Sequence, residues 1–212
     1  MKNKSFKYWL TQELHETFGL VRLPLSPLLD AWLSTTEPVT ETEQIRLEHL
    51  RANLLANADY WNEEELKVKF IGQLLDLVQL EGPAFRTFYD RPLSATLNTI
   101  RLYGTVDMVV ATGFQIPTEP FFCIHEYKQE GRREGDPKAQ LLAAMLVAQT
   151  LNTPHHPLYG CYVLGRNWFF VVLTGSGYAI SDAFVATQSD LQTIFQALRF
   201  IKRQIETWLT EV

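Results

Sequence analysis

The sequence predicts an α/β fold consisting of a helix, a three-strand meander, a second helix and further strands, preceded by a helical extension. Through much of residues 6–77, apolar side chains recur every three or four positions, which is typical of amphipathic helices. After Gly82-Pro83 the spacing changes to every second residue, which is typical of strands. With 212 residues, 46% of them hydrophobic, the chain can bury a core without disulfides.

The first quarter of the chain is expected to be helical. Apolar spacing predicts three helices, over residues 6–18, 27–34 and 41–57. We therefore expect a helical extension over residues 1–60 that packs as one compact unit with a main domain over residues 61–212. The first helix of the main domain should begin after Asn62, because Asn62 and Glu65 together form a capping-box signature.

The strands are expected on either side of a second helix. Alternating apolar residues predict three strands, over residues 97–102, 106–111 and 121–127. Gly104 and a loop over residues 113–120 separate them, which indicates a meander. A charged loop follows, and Pro137 suits the first turn of a helix that runs to about residue 151. The remaining elements are predicted as strands over residues 158–164, 168–173 and 178–180 and a helix over 189–209.

Composition limits where the protein acts and what it binds. The formal net charge of -5 argues against a general polyanion binder, so any nucleic-acid contact should be local. No apolar run approaches the ~20 residues of a membrane span, and the N-terminus lacks the apolar core of a secretory signal. Cys123 and Cys161 lie in apolar runs typical of buried free thiols. We expect a cytoplasmic protein.

An acid-x-lysine pattern occurs three times, and its context distinguishes the copies. Glu65 and Lys67 lie on a helix, where residues two apart point in different directions, and Asp136 with Lys138 spans a helix start. Only Glu126 and Lys128 lie on a strand, where residues two apart share a face. These two side chains can therefore converge on one ligand, although a solvated face of an edge strand is the alternative.

Asp107 interrupts an apolar series on the neighbouring predicted strand, where an unpaired carboxylate is costly to bury. If the two strands are antiparallel neighbours, Asp107 and Glu126 lie side by side. A divalent cation would relieve their repulsion, and oxygen ligands suit magnesium. Lys128 would then place a positive charge beside an attacking water and a developing phosphorane. His125 points to the opposite face and is interpreted as a packing residue.

These residues resemble the PD-(D/E)xK nuclease superfamily. The match consists of Gly104-Thr105-Val106-Asp107, then Glu126-Tyr127-Lys128 on the next strand, then a helix containing Gln140. The segment over residues 62–71 is similar to the opening helix of the nuclease domain of type I restriction enzymes. The resemblance covers about residues 62–173 and implies a restriction endonuclease-like core.

The resemblance also implies a set of site residues. The family offers a glutamate on the first helix, an aspartate and a Glu-x-Lys pair on the strands, and often a glutamine on the next helix. In this chain the corresponding residues are Glu63, Asp107, Glu126, Lys128 and Gln140, with the three acids as metal ligands. Ala144 stands where the family often has a tyrosine, which leaves the role of Gln140 open. Glu64 remains an alternative to Glu63.

The implied function is hydrolysis of DNA phosphodiester bonds with Mg²⁺ or Mn²⁺. Arg132 and Arg133 follow the site in a charged loop, where they would contact a phosphate backbone or form a solvated charge run. The alternative is a non-catalytic nucleic-acid-binding or assembly module that retains the nuclease fold. No ATP-driven motor motif is visible, so the sequence leaves open action alone, with a separate protein partner or as a homo-oligomer.

Overall fold

The computed structural model describes residues 2–129, 135–153 and 156–210. The elements of its N-terminal part are, in chain order, β1 (Lys2–Ser5), a 3-10 turn (Phe6–Tyr8), α1 (Thr11–Phe18), β2 (Val21–Arg22), α2 (Pro27–Leu33), α3 (Glu41–Asn57), α4 (Glu63–Leu66), a π-helical turn (Lys67–Ile71) and α5 (Gly72–Val78). The elements that follow are β3 (Arg86–Leu97), β4 (Ile100–Thr112), β5 (Thr118–Lys128), α6 (Pro137–Leu151), β6 (Leu158–Leu164), β7 (Asn167–Thr174), β8 (Gly177–Ile180), β9 (Phe184–Val185) and α7 (Asp190–Thr210).

One large mixed sheet organises the molecule. Its strands follow the order β1-β4-β5-β6-β7-β8-β2, with β3 paired to β4 and β9 paired to β7. β3, β4 and β5 are antiparallel neighbours and form a meander. β6 then pairs in parallel with β5. The connection between these two parallel strands contains α6, as parallel pairing requires a crossover of this kind.

Two apolar cores lie against this sheet. One combines residues of α2 to α5 and α7 with the sheet, and the other combines residues of α1 and α6 with it. β5 contributes to both cores, with Cys123 in the first and Ile124 in the second. A strand that is buried on both faces leaves little water for its polar side chains. Polar residues at the end of β5 must therefore find partners within the protein.

Most of the predicted main-domain elements are confirmed. The helix over residues 137–151 and the strand over 158–164 have the predicted bounds, and the last helix begins within one residue of its predicted start. The capping box at Asn62 is also present, because its side chain accepts from the backbone N–H of Glu65 and the Glu65 carboxylate accepts from that of Asn62. The prediction of an α/β fold with a strand meander is thus confirmed.

Two predictions about local structure were wrong. Gly104 does not end a strand, because β4 runs through it; the absent side chain instead makes room for the ring of Phe6. The first strand of the meander is Arg86–Leu97, and the predicted strands on either side of Gly104 are one strand. The extension is not purely helical either, because Lys2–Ser5 and Val21–Arg22 pair with β4 and β8. These segments are too short and too polar to show a strand period.

Both cysteines are buried free thiols, as predicted. Among the described residues, no helix is long and apolar enough to cross a membrane.

Gly104→Ala should lower the free energy of unfolding by about 1 to 3 kcal/mol, the usual cost of overpacking a core. A β-carbon at residue 104 would lie only 2.4 Å from Cδ2 of Phe6. Urea denaturation measures the effect. In a Phe6→Ala background the same glycine substitution should cost much less, and an equal cost in both backgrounds would contradict this contact.

Candidate active site

The candidate site lies where β4 changes the face on which it buries its side chains. Val106 belongs to the same core as Val109, whereas Met108 belongs to the opposite core. Regular alternation would place Val106 and Met108 on one face, so the strand is twisted at Asp107, between them. On the paired strand β3, Asp90 has a positive φ of 50° at the corresponding position. Asp107 and its cross-strand neighbour Asp90 therefore lie at a local distortion of the β3–β4 pair, and backbone distortions of this kind cluster at functional sites.

Strand register brings the two predicted acids together. β4 and β5 are antiparallel, with Met108 opposite His125, so continuing the register by one residue places Asp107 opposite Glu126. The backbone N–H of Tyr127 donates to Oδ2 of Asp107 at 2.7 Å, which ties this aspartate to the end of β5. The negative charge of Asp107 raises the pKa of Glu126, in agreement with two carboxylates that lie near each other at the end of β5.

Glu126 is the most buried acid of the group, with 3% of its side chain exposed. Its Oε1 atom accepts a hydrogen bond from Nε2 of Gln140 at 2.5 Å and contacts Nζ of Lys128 at 2.7 Å. Gln140 comes from the first turn of α6, and Asp136 caps that helix by accepting from the backbone N–H of Ala139. The helix start thus positions an amide donor on the strand carboxylate.

The first core helix contributes Glu63 and Lys67. Oε1 of Glu63 lies 3.1 Å from Nζ of Lys67, and its Oε2 lies 3.7 Å from Nζ of Lys128. Lys67 in turn contacts Oδ1 of Asp107 at 2.8 Å. The five side chains expected from the sequence therefore belong to one contact network. Of the two alternative glutamates, Glu63 contacts both lysines, whereas Glu64 is 77% exposed and contacts only Lys67 among them.

Sequence reasoning missed Lys67. The acid-x-lysine pattern pairs it with Glu65, from which it diverges on a helix, but its partner in the site is Glu63, four residues earlier. Residues at that spacing share a helix face, so the signal was available once Glu63 was favoured. Lys67 also begins a π-helical turn, a rare local structure that occurs frequently at functional sites.

Burial and like charges change the protonation equilibria of the site. The pKa of Glu126 is raised to about 7, first by burial and then by the negative charge of Asp107, against the opposing effect of Lys128. Burial of Lys128 acts to lower its pKa, but the Glu126 carboxylate outweighs this effect and the pKa is raised. Burial likewise opposes the charged form of Lys67, and Asp107 with Glu63 raises its pKa overall. Both lysines therefore remain cationic near neutral pH.

Three other predicted features lie near the network or outside it. His125 is fully buried and its Nδ1 lies 2.8 Å from the hydroxyl of Tyr127, in agreement with a packing role. Ala144, four residues after Gln140 on α6, is buried in the second core. Arg132 and Arg133 lie outside the residues that the structure describes.

The carboxylates of the network are the groups that could hold a metal. Among the described residues, no three His, Cys, Asp or Glu side chains form a ready-made ligand cluster, and lysine ammonium groups lie between the acids. The donor chemistry nevertheless fits a hard divalent cation, since Asp107 and Glu126 supply only oxygen atoms. A cation between them would oppose the effects that raise the pKa of Glu126.

No protein-family model matches this chain, and no curated protein matches its sequence. Its function therefore has to be inferred from the arrangement of its own side chains.

The free energy of unfolding should fall as the pH rises from about 4.5 to about 7 in metal-free buffer. Glu126 has a pKa of about 7 in the folded protein against an ordinary value of 4.5, so within this window the folded state binds more protons than the unfolded chain. The difference across the window is roughly 2 to 4 kcal/mol. Glu126→Gln should flatten it, as chemical denaturation at several pH values would measure.

Glu64→Gln is the matched control, because Glu64 lies on the exposed edge of the same network. It should keep the wild-type pH dependence. An equally steep dependence in Glu126→Gln would show that another group causes the effect.

Proposed function

We propose that this chain is a metal-dependent nuclease of the PD-(D/E)xK class that hydrolyses DNA phosphodiester bonds. One observation carries the proposal: Glu63, Asp107, Glu126, Lys128 and Gln140 come from α4, β4, β5 and α6, yet are linked side chain to side chain or through Lys67. Acids and a lysine drawn from separate elements into a largely buried cluster are costly to keep for stability alone. Such clusters are candidates for catalysis.

The order of elements supports the same class. A helix precedes the β3-β4-β5 meander, α6 follows it, and β6 returns in parallel beside β5. This order agrees with the restriction endonuclease-like core implied by the resemblance. Because fold alone does not establish activity, the proposal depends on the side chains of the site.

Asp107 and Glu126 would hold Mg²⁺ or Mn²⁺, with Glu63 as a further acid. When bound, such a cation supplies charge neutralisation at the phosphate and lowers the pKa of a water molecule. Both acids are held in place by the protein, Asp107 by the backbone of Tyr127 and Glu126 by the amide of Gln140. Ordered ligands of this kind reduce the cost of binding a cation.

Lys128 would stabilise the negative charge that develops on the phosphate. Its ammonium is held between Glu126 at 2.7 Å and Glu63 at 3.7 Å, and it remains cationic because Glu126 outweighs the cost of burial. A fixed positive charge at a largely buried site interacts strongly with a charged transition state. Gln140 and Glu63 would act as positioning residues for Glu126 and Lys128.

The substrate is DNA bound through a local surface. The net charge of -5 disfavours binding along a long stretch of DNA backbone, so recognition must be concentrated near the candidate site.

Millimolar Mn²⁺ should raise the melting temperature of the wild-type protein, because a ligand of the folded state stabilises it by mass action. Asp107→Asn should abolish this gain, since it removes one of the two central anionic ligands. Differential scanning fluorimetry in chelator-treated buffer measures both. A gain of the same size in Asp107→Asn would contradict binding at this site.

Lys128→Ala should reduce the rate of DNA cleavage by about 10²- to 10³-fold while leaving the fold intact. The assay uses purified protein, Mg²⁺ or Mn²⁺, and supercoiled, linear and single-stranded DNA. Lys69→Ala is the control, because Lys69 lies on the same helical segment but pairs with Glu65 outside the network. It should cleave at the wild-type rate.

If wild-type protein cleaves none of these DNA forms, the nuclease proposal fails. The alternative, a binding or assembly module that retains the fold, would then be favoured.

A further inference from the structure

Lys67 occupies a central place in the acidic cluster. Its Nζ atom lies 2.8 Å from Asp107, 3.1 Å from Glu63 and 3.3 Å from Glu64, and only 19% of its side chain is exposed. Its cationic form is retained despite burial, because the surrounding carboxylates outweigh the loss of water. An ammonium that contacts three carboxylates acts as their common counter-ion.

The contact with Asp107 involves one of the oxygen atoms that a metal would need. Oδ2 of Asp107 accepts from the backbone of Tyr127, and Oδ1 contacts Lys67. A divalent cation bound through Oδ1 would stand within a few ångströms of the ammonium. Two positive charges at such a distance repel strongly where little water screens them. The lysine contact and metal binding at Oδ1 therefore compete.

We propose that Lys67 is an internal counter-ion that occupies Asp107 in the metal-free protein and that metal binding displaces it toward Glu64. This inference rests on the proposed metal site and adds a regulatory element to it. Glu64 is already 3.3 Å from the ammonium and lies at the exposed edge of the cluster, so it offers the displaced lysine a second partner. The lysine compensates the charge of these acids when no metal is bound, so the metal-free protein can fold. The same contact lowers the affinity of Asp107 for metal.

The size of the effect on metal affinity depends on the fraction of metal-free molecules in which Lys67 contacts Asp107. If the competent, lysine-free arrangement makes up about one tenth of the metal-free population, the apparent affinity for metal is about tenfold weaker than the intrinsic one. Removing the ammonium should restore that factor. It should also lower the stability of the metal-free protein, because Asp107 and Glu63 would lose a cation that they share.

Calorimetric titration with Mn²⁺ tests the competition. Lys67→Met, and Lys67→Gln as a second variant that keeps a polar end group, should bind Mn²⁺ about tenfold more tightly than wild type. In chelator-treated buffer both should melt at a lower temperature than wild type. Lys69→Met is the matched control, since Lys69 pairs with Glu65 alone among the acids and is 46% exposed. It should change neither quantity by a comparable amount.

The outcomes separate this inference from the proposed function. If wild-type protein binds Mn²⁺ in a manner lost in Asp107→Asn, but the Lys67 variants bind equally or more weakly, the counter-ion role is wrong and the metal site stands. If neither wild type nor the variants bind Mn²⁺, the metal-dependent function fails and the inference fails with it. Tight binding by the variants alone would support the inference most strongly.

A measurement on the unmodified protein covers the case in which the variants do not fold. In the metal-free protein the side-chain ¹⁵N resonance of Lys67 should be observable by NMR, since hydrogen-bonded ammonium protons exchange slowly with water. Saturating Mg²⁺ should shift or broaden this resonance and leave that of Lys69 unchanged. A Lys67 resonance that does not respond to Mg²⁺, in protein shown by calorimetry to bind it, would overturn the inference.

Discussion

The structure around the candidate site depends on balancing buried negative charge. Glu126 is almost completely buried beside Asp107, and this environment raises its pKa to about 7, first through burial and then through the neighbouring charge. Lys128 and Lys67 provide the compensating cations, each in contact with more than one carboxylate. Neither lysine can be removed without leaving an acid short of a partner in a region of little water. The protonation states of these charged groups, and their contributions to stability, therefore depend on one another.

This charge balance requires four elements to meet at fixed distances, and the two apolar cores hold them there. One core fastens α4 and α5 to the sheet through residues such as Leu66 and Leu74, and the other fastens α6 through Leu141 and Met145. The sheet provides the register that sets β4 against β5. Rigid support of this kind is what a catalytic arrangement needs, because small displacements of charged groups are costly in rate. The two apolar cores therefore fix the positions of the charged side chains in the candidate site.

Local sequence patterns predicted the helices and strands that are specified by residues within the element itself. Strand periodicity placed Glu126 and Lys128 on one face, and the capping box placed the start of α4. The short strands β1 and β2 escaped prediction because their existence depends on distant partners in β4 and β8. The role of Gly104 was misread for a similar reason, since the ring of Phe6 that it accommodates lies almost a hundred residues earlier. Lys67 was missed because the acid-x-lysine pattern pairs it with Glu65, whereas its contacts are with Glu63, one helical turn earlier, and with Asp107 on β4.

The central claim is that Asp107 and Glu126 form a metal site within this network. Crystals of the wild-type protein grown or soaked in Mn²⁺, with diffraction recorded at the manganese absorption edge, test it most directly. We expect an anomalous peak in contact with carboxylate oxygens of both residues. Manganese bound only elsewhere, or a candidate site without anomalous density in which Lys67 still contacts Asp107, would contradict the claim.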